Sequence, residues 1–276
     1  LNYYPAEWMA AFLDKEPEKR KEKAINVAKF LGFKIQPLDI NTSGTVWEIS
    51  EDGKTLIQPL TSIKGLGEAA IAQIMDTRPF EDIEDFIFNE NITYSKLNKK
   101  ALDVLIRSQA LNSLMDDRFT GLRHFWSAVA VDRPLNRKRF NKNIETYELE
   151  EDFSDEEKID HLSSLTGMFP LGMVLDQRMR ERLEQKAVPP ISEYDPNLQL
   201  CWFIPREITK RTSKNGKDYF VLNVIDATSK PTTIRCWNVR PDDEIRLNKP
   251  YMAKLNYDPN WGFSTYSIKR NMRILI

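Results

Sequence analysis

Two hydrophobic periods follow one another along the chain. Through residue 185 the apolar positions recur every three to four residues, and beyond Pro189-Pro190 they alternate. Trp8, Met9, Phe12 and Leu13 share one face of a helix over 5–13. Ala24, Val27, Ala28 and Leu31 stripe a second helix over 16–32, with Gly32 at its C-cap. Residues 33–40 read as a short extended segment, and 46–57 as a hairpin turning at Asp52-Gly53. A helix over 83–88 opens on Glu81, Asp82, Glu84 and Asp85, where capping and the helix dipole favour carboxylates. Leu97, Ala101, Leu102, Leu105, Ile106, Ala110, Leu111 and Leu114 predict two helices over 91–114, broken near Ser108-Gln109. Leu122, Phe125, Trp126 and Val129 predict one more over 118–131. Periodicity is lost over 132–157, which reads as an exposed charged linker, and returns in helices over 158–165 and 174–185.

Past the prolyl pair, strands are expected at 198–208, 218–226, 232–237, 251–257 and 263–269. Lys214-Asn215-Gly216-Lys217 joins the first two, and Asp258-Pro259-Asn260-Trp261-Gly262 the last two. Five strands with an insertion between the third and fourth match the small Greek-key barrel known as the OB-fold. Its usual ligand is an oligonucleotide, held on strands two and three and by the adjoining loops. Lys210, Arg211, Lys214 and Lys217 fall in or beside the first of those loops, and Trp261 falls in the second. Arg235 lies on the third strand, and Tyr219, Trp237, Phe263 and Tyr266 are candidates to stack on bases while cations track phosphate. Alternation alone does not say which of the aromatics face the core instead.

Residues 61–75 carry the most specific pattern, a short helix, a Gly65-Leu66-Gly67 turn and a second helix: a helix-hairpin-helix. Two glycines permit positive φ and close approach of another backbone. The helix opening from the turn presents free N–H groups and partial positive charge, which suit a phosphate. Lys64 adds a full charge, while Ile63, Leu66, Ala70, Ile71 and Ile74 supply the apolar spine. The same residues also describe a plain turn between two helices with a glycine cap.

Composition adds a charge asymmetry. The 276 residues carry a net charge of −1. Yet 145–160 holds nine acidic residues against one lysine, whereas 197–276 holds fourteen Lys and Arg against seven Asp and Glu. A basic C-terminal third is an electrostatic footprint for nucleic acid. No apolar run approaches the roughly 18 residues of a membrane span. Residues 1–7 do not form a signal peptide and lack an initiator Met, so the chain is expected to come from something longer. Cys201 and Cys236 have no CxxC partner and read as reduced core residues of an intracellular protein. No metal-ligand spacing is present.

Together these stretches resemble the C-terminal part of the C-family replicative DNA polymerases, the DNA polymerase III alpha subunits. Tyr4-Pro-Ala-Glu-Trp-Met-Ala-Ala-Phe-Leu13 is similar to the family's Tyr-Pro-Ala-Glu-Phe-Met-Ala-Ala-Leu-Leu element at the end of the fingers. Gln36-Pro-Leu-Asp-Ile-Asn41 resembles the Pro-Asp-Val-Asn segment that follows. Ile63-Lys-Gly-Leu-Gly-Glu-Ala-Ala70 and Leu97-Asn-Lys-Lys-Ala-Leu102 resemble the tandem hairpin region. The likeness is strong over 3–115, weaker over 167–183, and at the level of fold beyond. Two departures stand out. Gln109 occupies a position where the family has Gly, which argues against a second backbone grip, and no Gln-x-x-Leu-Phe peptide is present, which argues against clamp binding. The divergence fits a phage or otherwise distant member.

The resemblance implies a multidomain α+β architecture. It runs from an end of fingers over 1–45, through a tandem hairpin domain over 46–131 and charged linker and connecting helices over 132–190, to an OB-fold over 191–276. It implies duplex DNA held at Lys64, Gly65, Leu66, Gly67, Lys99 and Lys100, single-stranded DNA at the barrel, and a cytoplasmic setting in a bacterium or phage-infected host. It also implies no catalytic residue here, with Mg²⁺ needed only by an absent palm, since two-metal phosphoryl transfer requires converging carboxylates. Two rival functions remain at this level. One is a replisome module that docks other proteins; the other is a nuclease or repair enzyme, for which no catalytic constellation is found.

Overall fold

The computed structural model describes residues 4–132 and 134–275. Arg133, one member of the basic stretch over 133–142, lies outside them, as do the first three residues and Ile276. Among the described residues no helix is long and apolar enough to cross a membrane. The chain divides into two compact units, one of 4–28 with 32–169 and the other of 29–31 with 170–275.

The first unit begins with helix α1 (Pro5–Lys15) and all but the last two residues of α2 (Lys21–Phe30). A three-stranded sheet follows, in the order β1 (Lys34–Gln36), β3 (Thr55–Ile57), β2 (Glu48–Ile49), with β1 parallel and β2 antiparallel to β3. The Asp52-Gly53 turn expected between β2 and β3 is present. Gly53 takes φ +65°, and the Asp52 carboxylate accepts from the Lys54 and Thr55 amides at 2.9 and 2.8 Å. Met9, Leu13, Ala24, Ile25 and Ala28 pack on Trp47 and Leu56 in a local core.

The remainder of this unit is helical: α3 (Glu68–Thr77), α4 (Ile83–Phe88), α5 (Lys99–Arg107), α6 (Leu122–Ala130), α7 (Arg137–Tyr147) and α8 (Asp155–Thr166). Short polar side chains start most of them, as helix entry requires. Asp82, Asn98 and Asn136 cap α4, α5 and α7, and Ser154 with Glu157 forms a capping box on α8. The acidic group at the start of α4 thus serves as cap and first turn.

Two expectations change here. The stretch after Ser108-Gln109 closes as a single 3₁₀ turn, Asn112–Leu114, and not as a full helix. The linker expected over 132–157 contains α7, whose Phe140 is fully buried and meets the Phe88 ring edge to face at 5.9 Å. Phe140 and Ile144, one turn apart, are the only strongly apolar positions on α7. So narrow a stripe is hidden by its charged neighbours in a sequence window.

The second unit opens with α9 (Leu171–Val174) and α10 (Gln177–Gln185), separated where Asp176 caps α10. Seven strands follow: β4 (Leu200–Thr212), β5 (Asp218–Ile225), β6 (Thr232–Cys236), β7 (Tyr251–Lys254), β8 (Asn256–Asp258), β9 (Gly262–Thr265) and β10 (Met272–Ile274), with α11 (Ile268–Asn271) before the last. Their order is β10-β7-β4-β5-β6-β9-β8. The long strand β4 changes partner along its length: Leu200, Cys201, Trp202 and Phe203 pair with β7, and from Ile204 onward it pairs with β5, with a register shift between Pro205 and Glu207. β7 and β8 are one interrupted strand, parted by Leu255 alone, and β8 pairs with β9 while β7 pairs with β4. The sheet therefore curls back on itself. With β6 parallel to β9, this is the OB-fold topology expected from the sequence.

The barrel core holds Leu222 and Val224 with Phe220 packed against it, so the alternate residues Tyr219, Val221 and Asn223 face outward. Cys201 and Cys236 are free and buried, and burial pushes both thiols up to about 12.

Candidate nucleic-acid interface

In the first unit the hairpin loop is built as expected, with one difference. The helix before the turn is a single 3₁₀ turn, Leu60–Ser62. Ile63, Ala70, Ile71 and Ile74 are buried in the main core, and Leu66 packs against it half-exposed. Gly65 takes φ +91°, a conformation that a side chain disfavours. The Lys64 amide donates to the Leu165 carbonyl at 2.8 Å and the Leu66 amide to Ile63 at 3.1 Å, so the loop is tied to α8 and to itself.

Above this anchored loop the backbone is open. The amides of Gly65, Gly67, Glu68 and Ala69 have no acceptor among the described residues. Gly67 is the N-cap of α3, and a methyl group built on it would meet nothing within 4 Å. Lys64 and Lys100 are exposed and enter no ion pair among the described residues. Lys100 comes from α5, yet its Cε would stand 3.6 Å from a Cβ on Gly65. Free amides at a helix N-terminus flanked by two ammonium groups can hold a phosphate oxygen from several directions. Lys99 is exposed beside Lys100, and the Glu68 carboxylate in the first turn of α3 is the one opposing charge on that turn.

In the second unit the outward face of β4, β5 and β6 forms a groove of ≈ 460 Å³. Strand register arranges its lining in rows. Glu207 faces Asn223 and Asn223 faces Thr233; Thr209 faces Val221 and Val221 faces Arg235; Arg211 faces Tyr219. Tyr219 stacks on Trp237 with centroids 4.5 Å apart. Trp261 stands over this end, 71 % exposed, and its carbonyl accepts from Arg235 Nη1.

Five expected residues thus converge on one groove: Arg211, Tyr219, Arg235, Trp237 and Trp261. Others fall elsewhere. Lys210 pairs with Asp218 at 2.7 Å, and that contact, with the Thr212 hydroxyl, holds the Asp218 carboxyl below its usual range. Lys214 and Lys217 lie exposed in the turn between β4 and β5, and Tyr266 lies exposed past β9. Phe263 is turned inward: it faces buried Ile234 across the parallel ladder and meets Tyr194 edge to face at 5.1 Å. It packs the barrel and is not placed to stack on a ligand in the groove. Glu207, Thr209, Val221, Asn223 and Thr233 line the groove without having been singled out in the sequence. Counting by two from Arg211, Tyr219 and Arg235 reaches all five, because alternate strand residues share a face.

Among the described residues no group of three or more His, Cys, Asp or Glu side chains is placed to hold a metal ion.

Residues 32–121 match the family model described as a helix-hairpin-helix motif. The chain is similar to the DNA polymerase III subunit alpha of Pseudomonas fluorescens, 32% identical over 41% of this chain and 10% of that protein. It is 33% identical to that of Helicobacter pylori over 44% of this chain and 11% of the relative. Against that of Aquifex aeolicus the identity is 27%, over 82% of this chain and 19% of the relative. The chain therefore spans between a tenth and a fifth of the length of these curated relatives.

Proposed function

We propose that this chain, similar over part of its length to DNA polymerase III alpha subunits, grips DNA for a replicative polymerase. The observation that carries the reading is the cluster at the hairpin: four open amides over Gly65–Ala69, with Lys64 and Lys100 beside them. In this reading the cluster holds the phosphate backbone of duplex product. Phosphate contacts position a protein without reading sequence, so the grip is blind to base order. The barrel groove holds the single-stranded template, with Trp261 as a stacking platform and Arg211 and Arg235 near phosphate. The metal-dependent transfer of nucleotides belongs to other residues of a longer polymerase.

The test is fluorescence-anisotropy binding of the chain to single-stranded, duplex and primer-template DNA at two salt concentrations. The expected result is affinity that falls steeply with salt and is greatest for duplex or junction. Trp261→Ala should weaken single-strand binding by about 1–3 kcal/mol and leave duplex binding unchanged. Absence of binding at low salt would overturn the reading.

A further inference from the structure

We infer that the second unit docks an acidic peptide segment of another protein and seats one large apolar side chain of it in a pocket between α10 and the β7-β10 side of the barrel.

The pocket, of ≈ 300 Å³, has two walls. Met179, Arg182, Leu183 and Lys186 recur at helical spacing, so one face of α10 and its C-cap supplies the first. Tyr251 and Ala253 of β7 point into the barrel core, so Met252 between them points outward and belongs to the second. Arg273 of β10 stands beside Met252 in register, and Ile274 and Leu275 complete the lining. Leu183 is buried, while both methionines, Ile274 and Leu275 stay partly exposed, which leaves an apolar floor open to solvent. Methionine in such a floor adapts to side chains of different shape. Arg182, Lys186 and Arg273 are exposed around it, and no carboxylate stands among the described lining residues. Lys186 and Arg273 enter no ion pair among the described residues.

Charge and shape together select the occupant. Cations with no anion opposing them in the lining complement a negatively charged partner. Nucleic acid is one such polyanion, but the lining holds no aromatic ring on which a base could stack. Those rings lie in the groove on β4, β5 and β6, a different set of strands. An aliphatic and thioether floor instead suits one side chain of leucine or phenylalanine size, an anchor desolvated in a pocket. The cations around the floor then meet carboxylates that flank the anchor in sequence. β10 ends the sheet order, so the pocket lies at a sheet edge that an extended peptide can approach.

The experiment measures anisotropy of fluorescein-labelled peptides with the intact chain at low salt. Glu-Glu-Phe-Glu-Glu should bind, and Glu-Glu-Ala-Glu-Glu should bind about tenfold more weakly, because the floor receives the apolar side chain. Arg273→Glu and, on the other wall, Lys186→Glu should each weaken the phenylalanine peptide about fivefold and leave binding of a dT15 oligonucleotide unchanged. Both positions are exposed, and circular dichroism checks that each variant stays folded. Equal affinity for the two peptides, or no binding of either, overturns the pocket. A loss of dT15 binding as large as the loss of peptide binding would assign the surface to nucleic acid and overturn the peptide. The chain also carries an acidic apolar segment of its own, with Leu149 95 % exposed between Glu148 and Glu150. Concentration-dependent dimers in sedimentation that Arg273→Glu abolishes would assign the pocket to a second copy and overturn a separate partner.

Discussion

Lys100, in the first turn of α5, lies over Gly65 in a hairpin loop more than thirty residues earlier in the chain; a Cβ on Gly65 would stand 3.6 Å from its Cε. The second hairpin region thus lends a charge to the first. Lys100→Glu should weaken duplex binding as Lys64→Glu does, each making the slope of log affinity against log salt shallower by about one contact. Glu68→Gln should act in the opposite sense, because it removes an anion from the helix end that receives the phosphate. An unchanged slope for Lys100→Glu would confine the grip to Lys64 and the loop backbone.

The two loop glycines separate folding from binding. Gly65 has φ +91°, so Gly65→Ala should cost about 1–2 kcal/mol of stability. Gly67 has φ −79° and open space around it, so Gly67→Ala should cost within about 1 kcal/mol, the loss of a good N-cap residue. Its new methyl group would stand where a phosphate must reach the amides, and duplex affinity should fall sharply. Thermal unfolding and anisotropy on the same two variants check this; full affinity in Gly67→Ala would place the phosphate elsewhere.

Gln109 holds a glycine conformation without being glycine. Its φ is +64°, its amide donates to Ile106 at 2.8 Å, and the next amide, of Ala110, returns to Leu105 at 3.0 Å. The turn is further used by Ile40, whose amide donates to the Ala110 carbonyl at 2.8 Å. The left-handed turn therefore persists where the family resemblance has Gly. Gln109→Gly should stabilise the chain by up to about 1 kcal/mol, since relief of strain exceeds the added freedom of the unfolded state. A lower unfolding midpoint for that variant would show that the half-buried glutamine side chain matters more than its backbone.

What was legible in the sequence follows from what each pattern encodes. The glycine pair and the Asp52-Gly53 hairpin are local backbone chemistry, and each shows in a few residues, whereas the two compact units part at 169/170 and not at Pro189-Pro190. The inward face of β5 was not legible, because Tyr219, Val221 and Ile225 are as apolar as Phe220, Leu222 and Val224. Only the register with β4 and β6 decides it. Phe263 was misjudged for the same reason: its partner Ile234 lies on a strand more than twenty-five residues earlier, joined through a parallel ladder. Lys100 was placed beside the hairpin by resemblance, but its approach to Gly65 depends on how α5 packs, which no local window contains. In α7 the charge ran against detection, since buried Phe140 and half-buried Ile144 are its only strongly apolar side chains against the core, among five basic and acidic neighbours.

Stability should also report on a histidine that neither proposed DNA contact uses. Burial holds the His161 imidazole below its ordinary value of 6.5, and nearby Arg107 adds to the shift. Its Nδ1 is buried with no hydrogen-bond partner, and its ring meets Phe153 edge to face at 4.9 Å. Glu157, Asp103 and Asp160 pull the other way without reversing the direction. The folded chain therefore takes up this proton at a lower pH than the unfolded chain does. Between those two values the unfolded state binds more protons, so stability rises with pH through the window. The contribution is complete above about pH 6.5 and is lost as pH falls from there towards the folded value. Asp116, held below its usual range by its hydrogen bond to Arg118, acts in the same direction but only near and below about pH 4. Urea unfolding at pH 7.5 and at pH 5.5 should show a lower midpoint at the acid value for the intact chain. His161→Phe keeps the ring contact and removes the titration, so the gap between the two midpoints should shrink. A gap of the same size in that variant would assign the acid sensitivity to other groups.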